Sequence, residues 1–209
     1  MKERPIIYGP EMIKAKLDGR KTQTRRPIAK AWDGHTWAGA IHPAKISGWI
    51  AWWPGNTDPE FTKKAYDHGF PCQYGQPGDV LWTREAYQIA LRNWDQEEVS
   101  GYYSADGSSF NDVPLLEDEW DKLVLRKDPY RVCPGRFMYK SLCRMRDEIV
   151  TVRPERLLQV SLVDVHAEGF LGFGHFFKYW DSLYTKKPEY QLEANPWIWA
   201  IEFRKVVIL

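Results

Sequence analysis

The sequence predicts an α+β fold, a small mixed β-barrel with flanking helices and long loop insertions, and three observations predict it. Short runs of β-branched and aromatic residues recur at Pro5–Tyr8, Val80–Tyr87, Glu148–Arg153 and Pro196–Arg204. Only two or three stretches carry apolar residues at helical spacing. Turn signals at Gly9-Pro10, Gln76-Pro77-Gly78-Asp79 and Asp106-Gly107 keep every element short. Several strands around few helices give an α+β domain.

The elements follow in order. Pro5-Ile6-Ile7-Tyr8 reads as a strand broken by Gly9-Pro10. Glu11 to Asp18 follows as a helix with Met12, Ile13, Lys16 and Leu17 on one face, and Gly19 sits where a glycine ends helices. Residues 31–75 are rich in Trp, Gly, Pro and His without a sustained period, and read as a long ordered insertion. Val80 to Tyr87 is a strand, Gly101-Tyr102-Tyr103 another, and residues 90–130 form a second insertion whose acidic part is a surface excursion. Phe137–Cys143 and Glu148–Arg153 are further strands. Ser161-Leu162-Val163-Asp164 has capping-box form and opens a helix through Glu168 that Gly169 stops. Phe173 to Tyr184 spaces Phe176, Phe177, Trp180 and Leu183 as a core-facing helix, and Pro196 to Arg204 is a closing strand.

With 209 residues the chain suits a single domain spanning 1–209. Eleven Trp and eleven Tyr argue against disorder and for aromatic-lined surfaces. Formal net charge is +1, yet it is segregated. Residues 1–30 carry nine Lys/Arg against three Asp/Glu, and residues 126–146 carry seven against one, each a net +6. Residues 94–121 hold nine acids and no Lys or Arg. Two basic segments could meet one phosphate-bearing ligand or be solvated faces.

Cys72, Cys133 and Cys143 lack CxxC spacing and the five histidines form no HxxxH pattern, which predicts no metal site and no cofactor. An odd cysteine count without a signal peptide predicts a reducing cytoplasm. No apolar run approaches the roughly 20 residues of a membrane helix, so no membrane partner is expected.

The densest chemistry lies in Gly19-Arg20-Lys21-Thr22-Gln23-Thr24-Arg25-Arg26, with one lysine, two threonines and three arginines in eight residues. Neighbouring cations disfavour the Lys21 ammonium, and the group could equally hold an anion or a polarised carbonyl. From the residues alone, Lys21 suits phosphate binding as well as proton transfer. Thr24 suits a turn or cap hydroxyl as well as a nucleophile, and Glu168 is equally an ordinary last-turn glutamate.

This segment resembles the signature loop of the ASCH domain family, a branch of the PUA-like β-barrel superfamily, through Gly19, Lys21, Thr24 and Arg26 at the family's spacing. Three further blocks resemble phage-type and bacterial ASCH proteins in order and spacing: Pro77 to Glu85, Ser161 to Phe170, and Asn195 to Phe203. Many members carry Glu where this chain has Thr24. The threonine form is similar to the small bacterial amidohydrolases that remove acyl groups from N4-acetylcytidine. Glu85 is the substitute acid should Glu168 lie elsewhere, and the resemblance implies Lys21, Thr24 and Glu168 as the catalytic set. It implies a modified cytidine or cytosine as substrate, cleaved without a metal.

The chemistry required agrees with those residue types. An amide to an exocyclic amine needs a nucleophile, a base and oxyanion stabilisation. Thr24 is a poor nucleophile unless neutral Lys21 takes its proton, and Glu168 would orient Lys21 or the leaving amine. Arg26 reads as a ligand-side or structural arginine pairing with Glu85. Tyr87, Trp52 and Trp53 could stack a base or fill the core. The competing functions are an RNA-binding module and an ASCH-type ribonuclease. The near-zero net charge and the acidic 94–121 stretch disfavour an extended nucleic acid, and a monomer is expected.

Overall fold

The computed structural model describes residues 1–28, 41–43, 49–51 and 71–206. In chain order the elements are β1 (Glu3–Ile7), α1 (Pro10–Leu17), β2 (Gln23–Pro27), β3 (Ile41–Pro43), β4 (Trp49–Ala51), β5 (Val80–Arg84), β6 (Tyr87–Asn93), β7 (Glu98–Tyr103), β8 (Ser109–Pro114), α2 (Glu117–Val124), β9 (Arg146–Arg156), α3 (Leu162–Ala167), α4 (Phe173–Leu183) and β10 (Trp197–Lys205). Short strands and few helices make this a mixed α+β fold. Contacts divide it into two compact units, one of Met1–Lys21, Asp79–Glu148 and Arg204–Leu209, the other of Thr22–Gly78 and Ile149–Phe203.

In the first unit, β1 runs parallel to β5 from Glu3↔Val80 to Ile7↔Arg84. The start of β9 lies antiparallel to β5, with Trp82 opposite Arg146 and Val80 opposite Glu148. Helix α1 has Pro10 in its first turn, where a missing N–H costs nothing. It ends at Gly19, whose φ of 73° suits glycine, and the Arg20 N–H closes back on the Ala15 carbonyl at 2.9 Å. Its buried face holds Met12, Ile13, Ala15 and Lys16, while Leu17, expected inside, stays 39% exposed.

Strands β6, β7 and β8 form an antiparallel meander over a core of Tyr87, Ile89, Val99, Tyr103 and Phe110, closed by Trp120 and Leu123 from α2. The acidic excursion expected here is therefore an ordered sheet and helix. Most of the acids are exposed, Glu119 of α2 being buried, while apolar residues of the strands turn inward. At Gly101 a Cβ would stand 2.0 Å from the Gln88 carbonyl oxygen and 2.7 Å from the Phe110 ring, so only glycine fits.

Two strand expectations are corrected in this unit. Val80–Tyr87 is two strands, because the chain leaves β5 at Glu85, whose N–H points to the Met138 sulfur at 3.2 Å. Residues 137–143 are not a strand; short 3₁₀ turns at Gly135–Phe137 and Lys140–Leu142 take that segment instead. The Glu119 carboxylate receives the Lys140 N–H at 2.6 Å, an acceptor that apolar patterning does not reveal.

In the second unit β9, β10 and β2 lie side by side in that order. β2 is antiparallel to β10, from Gln23↔Glu202 to Pro27↔Ile198. β3 and β4 make a separate antiparallel pair. Helix α3 starts at the predicted capping box: the Ser161 hydroxyl receives the Asp164 N–H at 3.2 Å, and Asp164 receives the Ser161 N–H at 3.1 Å. On α4, Phe176 and Trp180 pack inward, and the Trp180 indole donates to the Tyr190 carbonyl at 2.7 Å.

The expected closed barrel is absent from the described strands. β2 has β10 as its single neighbour and β1 has β5, so both are sheet edges among the described residues. Among those residues no helix is long and apolar enough to cross a membrane.

Candidate active site

The signature segment expected as a loop is half strand. Its second half is β2, and pairing with β10 fixes which side chains turn inward. Thr24 sits opposite Ile201 and is 1% exposed; Arg25, opposite Ala200, is 2% exposed. A buried threonine is unremarkable, but a buried guanidinium needs partners.

Arg25 has several. Its Nε meets Glu155 at 2.9 Å, Nη2 meets Asp164 at 3.1 Å, and Nη1 meets Glu168 at 3.4 Å and the Gln23 amide oxygen at 3.1 Å. Glu168 is the C-terminal cap of α3 and is itself buried. The Thr22 N–H donates to the Ala167 carbonyl at 2.8 Å, next to Glu168 in the chain. Backbone and side chain alike thus bring the motif segment and the predicted glutamate together within the second unit.

Around this clasp, Arg153 meets Glu155, Asp164 and Glu202, and Gln23 donates to Glu202 at 3.2 Å. Burial pushes Asp164 up. Hydrogen bonds from the Ser161 hydroxyl and backbone, with the Arg25 cation, outweigh it and hold the carboxyl at about 2. Nothing in the sequence pattern marks Arg25 as the organising residue, because its three carboxylates lie on β9, α3 and the α3 cap.

Lys21 belongs to the first unit and is 4% exposed. Its backbone N–H is tied to the Ala15 carbonyl at 3.1 Å, and its ammonium stands 5.5 Å from the centre of the Tyr8 ring. Lys16 lies over the same ring at 5.1 Å and forms a buried ion pair with Asp147. Burial pushes the Lys16 ammonium down and the Asp147 carboxyl up, while their mutual attraction opposes both shifts. Lys21 and Lys205 add positive field that favours the Asp147 carboxylate. Sequence reasoning placed Lys16 on the apolar face of the helix but missed its pairing with Asp147, which lies among the charged residues Arg146 and Glu148 and is 131 positions away.

The remaining candidates fall in various places. Arg26, on β2, is half-buried and engages the Tyr184 hydroxyl, whose pKa burial raises to about 12 against the pull of this cation. The expected pairing of Arg26 with Glu85 is replaced in the first unit by a bidentate bond from Arg144, at 2.8 Å to each oxygen of Glu85. Arg144 also meets Asp106 at 2.9 Å and lies 4.0 Å from the Tyr103 ring centre, so Glu85 is locked into a structural network. Burial raises the Glu85 pKa, with Arg144 opposing.

Tyr87 is fully buried, edge-on to Tyr139 at 6.3 Å, and presents no free face for stacking. The core alternative holds there. Trp52 and Trp53 lie outside the described residues. Among those residues no group of three or more His, Cys, Asp or Glu is arranged to hold a metal ion. No protein-family model, no curated protein and no solved structure matches the chain.

Proposed function

We propose that the chain is an amidohydrolase of the ASCH type that removes the acyl group from N4 of an N4-acylated cytidine or cytosine. Support comes from the signature spacing of Lys21, Thr24 and Arg26. The observation that carries most weight is the joining of the motif strand to α3, through Thr22 to Ala167 at 2.8 Å and Arg25 to Glu168 at 3.4 Å. Of the two candidate acids, the geometry favours Glu168, since Arg144 occupies both oxygens of Glu85.

In the proposed reaction, neutral Lys21 takes the Thr24 hydroxyl proton as the oxygen attacks the acyl carbon. The C–N4 bond breaks, N4 receives that proton, and the acyl group stays as an ester on Thr24. A water molecule then cleaves the ester, releasing the carboxylic acid and restoring Thr24. Glu168, oriented by Arg25, accepts a hydrogen bond from the leaving amine. Lys21 is buried and its cation favours the Asp147 carboxylate, and in general burial and a nearby anion act in opposite directions on an ammonium.

That competition sets the experiment. Release of cytidine and acetate from N4-acetylcytidine is followed for Lys21→Ala, Lys21→Arg, Thr24→Ser and Thr24→Ala. Both Lys21 variants are expected to lose at least about 100-fold in kcat, because arginine cannot act as a base at ordinary pH. Thr24→Ser is expected to retain more activity than Thr24→Ala. A near wild-type Lys21→Arg enzyme would make Lys21 a fixed cation, and no release of cytidine by the wild-type protein would refute the substrate class.

A further inference from the structure

The first unit contains a cavity of about 660 Å³ whose wall includes none of Lys21, Thr24 and Glu168. Its floor is apolar and aromatic, from Trp82, Phe137, Met138 and Tyr139. Seven cations line it against three carboxylates, a net +4 in a protein whose overall charge is +1. Five of those cations come from the basic 126–146 segment with its 3₁₀ turns, and Arg84 and Lys122 come from β5 and α2.

Each carboxylate of the wall is already engaged. Asp118 pairs with Lys122 one helical turn on, Glu119 receives the backbone N–H groups of Lys140 and Ser141, and Asp128 receives that of Tyr130. Lys140 pairs with Glu3. The other five cations meet no carboxylate among the described residues. Arg84 lies 4.5 Å from the Trp82 ring centre and donates to the Arg136 carbonyl. Arg136 lies 4.8 Å from the Phe137 ring centre. Arg126, partly buried, donates to the Tyr87 hydroxyl at 3.4 Å and the Cys133 sulfur at 3.1 Å and also engages the Tyr139 hydroxyl. A guanidinium removed from water without an anion is costly. Arg84 and Arg126 are partly buried in this way, Lys127, Arg131 and Arg136 stand exposed beside them, and that excess of positive charge around one hollow suits an anionic ligand.

We propose that this cavity binds a phosphorylated ligand of nucleotide size, its phosphates held by Arg126, Arg131 and Arg136 and its base packed on the Trp82–Phe137 wall. Guanidinium forks match phosphate oxygens in pairs. The volume falls within the range of about 300–1,000 Å³ typical of small-ligand sites and far exceeds a lone phosphate. A long nucleic acid is disfavoured by the neighbouring acids of α2, namely Glu117, Asp118, Glu119 and Asp121.

The test is calorimetric titration of the full chain with cytidine 5′-diphosphate, cytidine, inorganic pyrophosphate and a single-stranded RNA of about 20 nucleotides. The diphosphate is expected to bind at least about tenfold tighter than cytidine or pyrophosphate, and to weaken several-fold as salt rises from about 50 to 200 mM. The double variant Arg131→Glu/Arg136→Glu alters exposed side chains without carboxylate partners and is expected to lose at least about tenfold affinity. Lys186→Glu, a charge reversal on an exposed lysine of the second unit, is expected to change nothing. Equal affinity for cytidine and the diphosphate would overturn the proposal, as would equal loss in the Lys186 control. RNA bound more than tenfold tighter than the diphosphate would overturn it in favour of an extended strand.

Discussion

Arg25 commits a buried guanidinium to three carboxylates within the second unit. It lies buried among Glu155, Asp164 and Glu168, so truncating it would take this cation from the buried Glu168 and leave Glu155 and Asp164 to Arg153. Breaking such a group by removing one partner costs about 3–5 kcal/mol, far more than a surface pair is worth. Arg25→Ala is accordingly expected to lower the urea midpoint with little change in slope, the mark of lost stability without altered compactness. Arg25→Lys keeps the charge but not the fork, and cannot serve three carboxylates on separate elements at once. It should recover only part of the loss. Full recovery by lysine would show that charge alone, not geometry, holds the clasp.

At the scale of elements, backbone constraints decide where side chains go. Gly101 on β7 has the Gln88 carbonyl oxygen where a Cβ would stand, at 2.0 Å, and the backbone of β6 cannot yield as a side chain could. Gly101→Ala should therefore cost toward the upper end of the roughly 1–3 kcal/mol typical of overpacking, read as a fall in thermal midpoint. An alanine variant as stable as wild type would mean that β6 and β7 can separate at this register.

Elements with local signals were legible in the sequence: α1 with Gly19 at its end, α3 with its Ser161–Asp164 box, and β10 with its run of Trp and Ile. Elements set by distant partners were not. The 3₁₀ turns of residues 135–142 depend on Glu119, twenty-one positions before Lys140. Helix α2 hid inside an acidic stretch because its apolar face is only Trp120 and Leu123. The same division applies to the candidate site. Lys21, Thr24 and Glu168 were named through a resemblance carried by short blocks, whereas Arg25, Asp147 and Arg144 act through contacts more than 50 positions away in sequence.

For the molecule as a whole, acid sensitivity follows from one depressed carboxylate in each unit. Asp106 is held at about 2 by hydrogen bonds from Arg144, with Ser108 adding to it. Asp164 is also held at about 2, by Ser161 and Arg25 against the effect of burial. Both lie below the usual 3.8, so the folded state binds fewer protons than the unfolded chain in this range. The stabilisation is fully present above about pH 4 and is lost as pH falls through about 2. Asp106 is exposed and Asp164 half-buried, and solvent screening weakens their effect, so the loss should be gradual and sharper at low salt. The measurement is the urea midpoint at intervals from pH 6 down to about 2, for wild type, Asp164→Asn and Asp106→Asn. Each asparagine variant should start less stable at pH 6 and show a shallower decline, because it has one proton fewer to bind on unfolding. Wild type and variants falling in parallel would show that neither carboxylate is depressed in the folded protein.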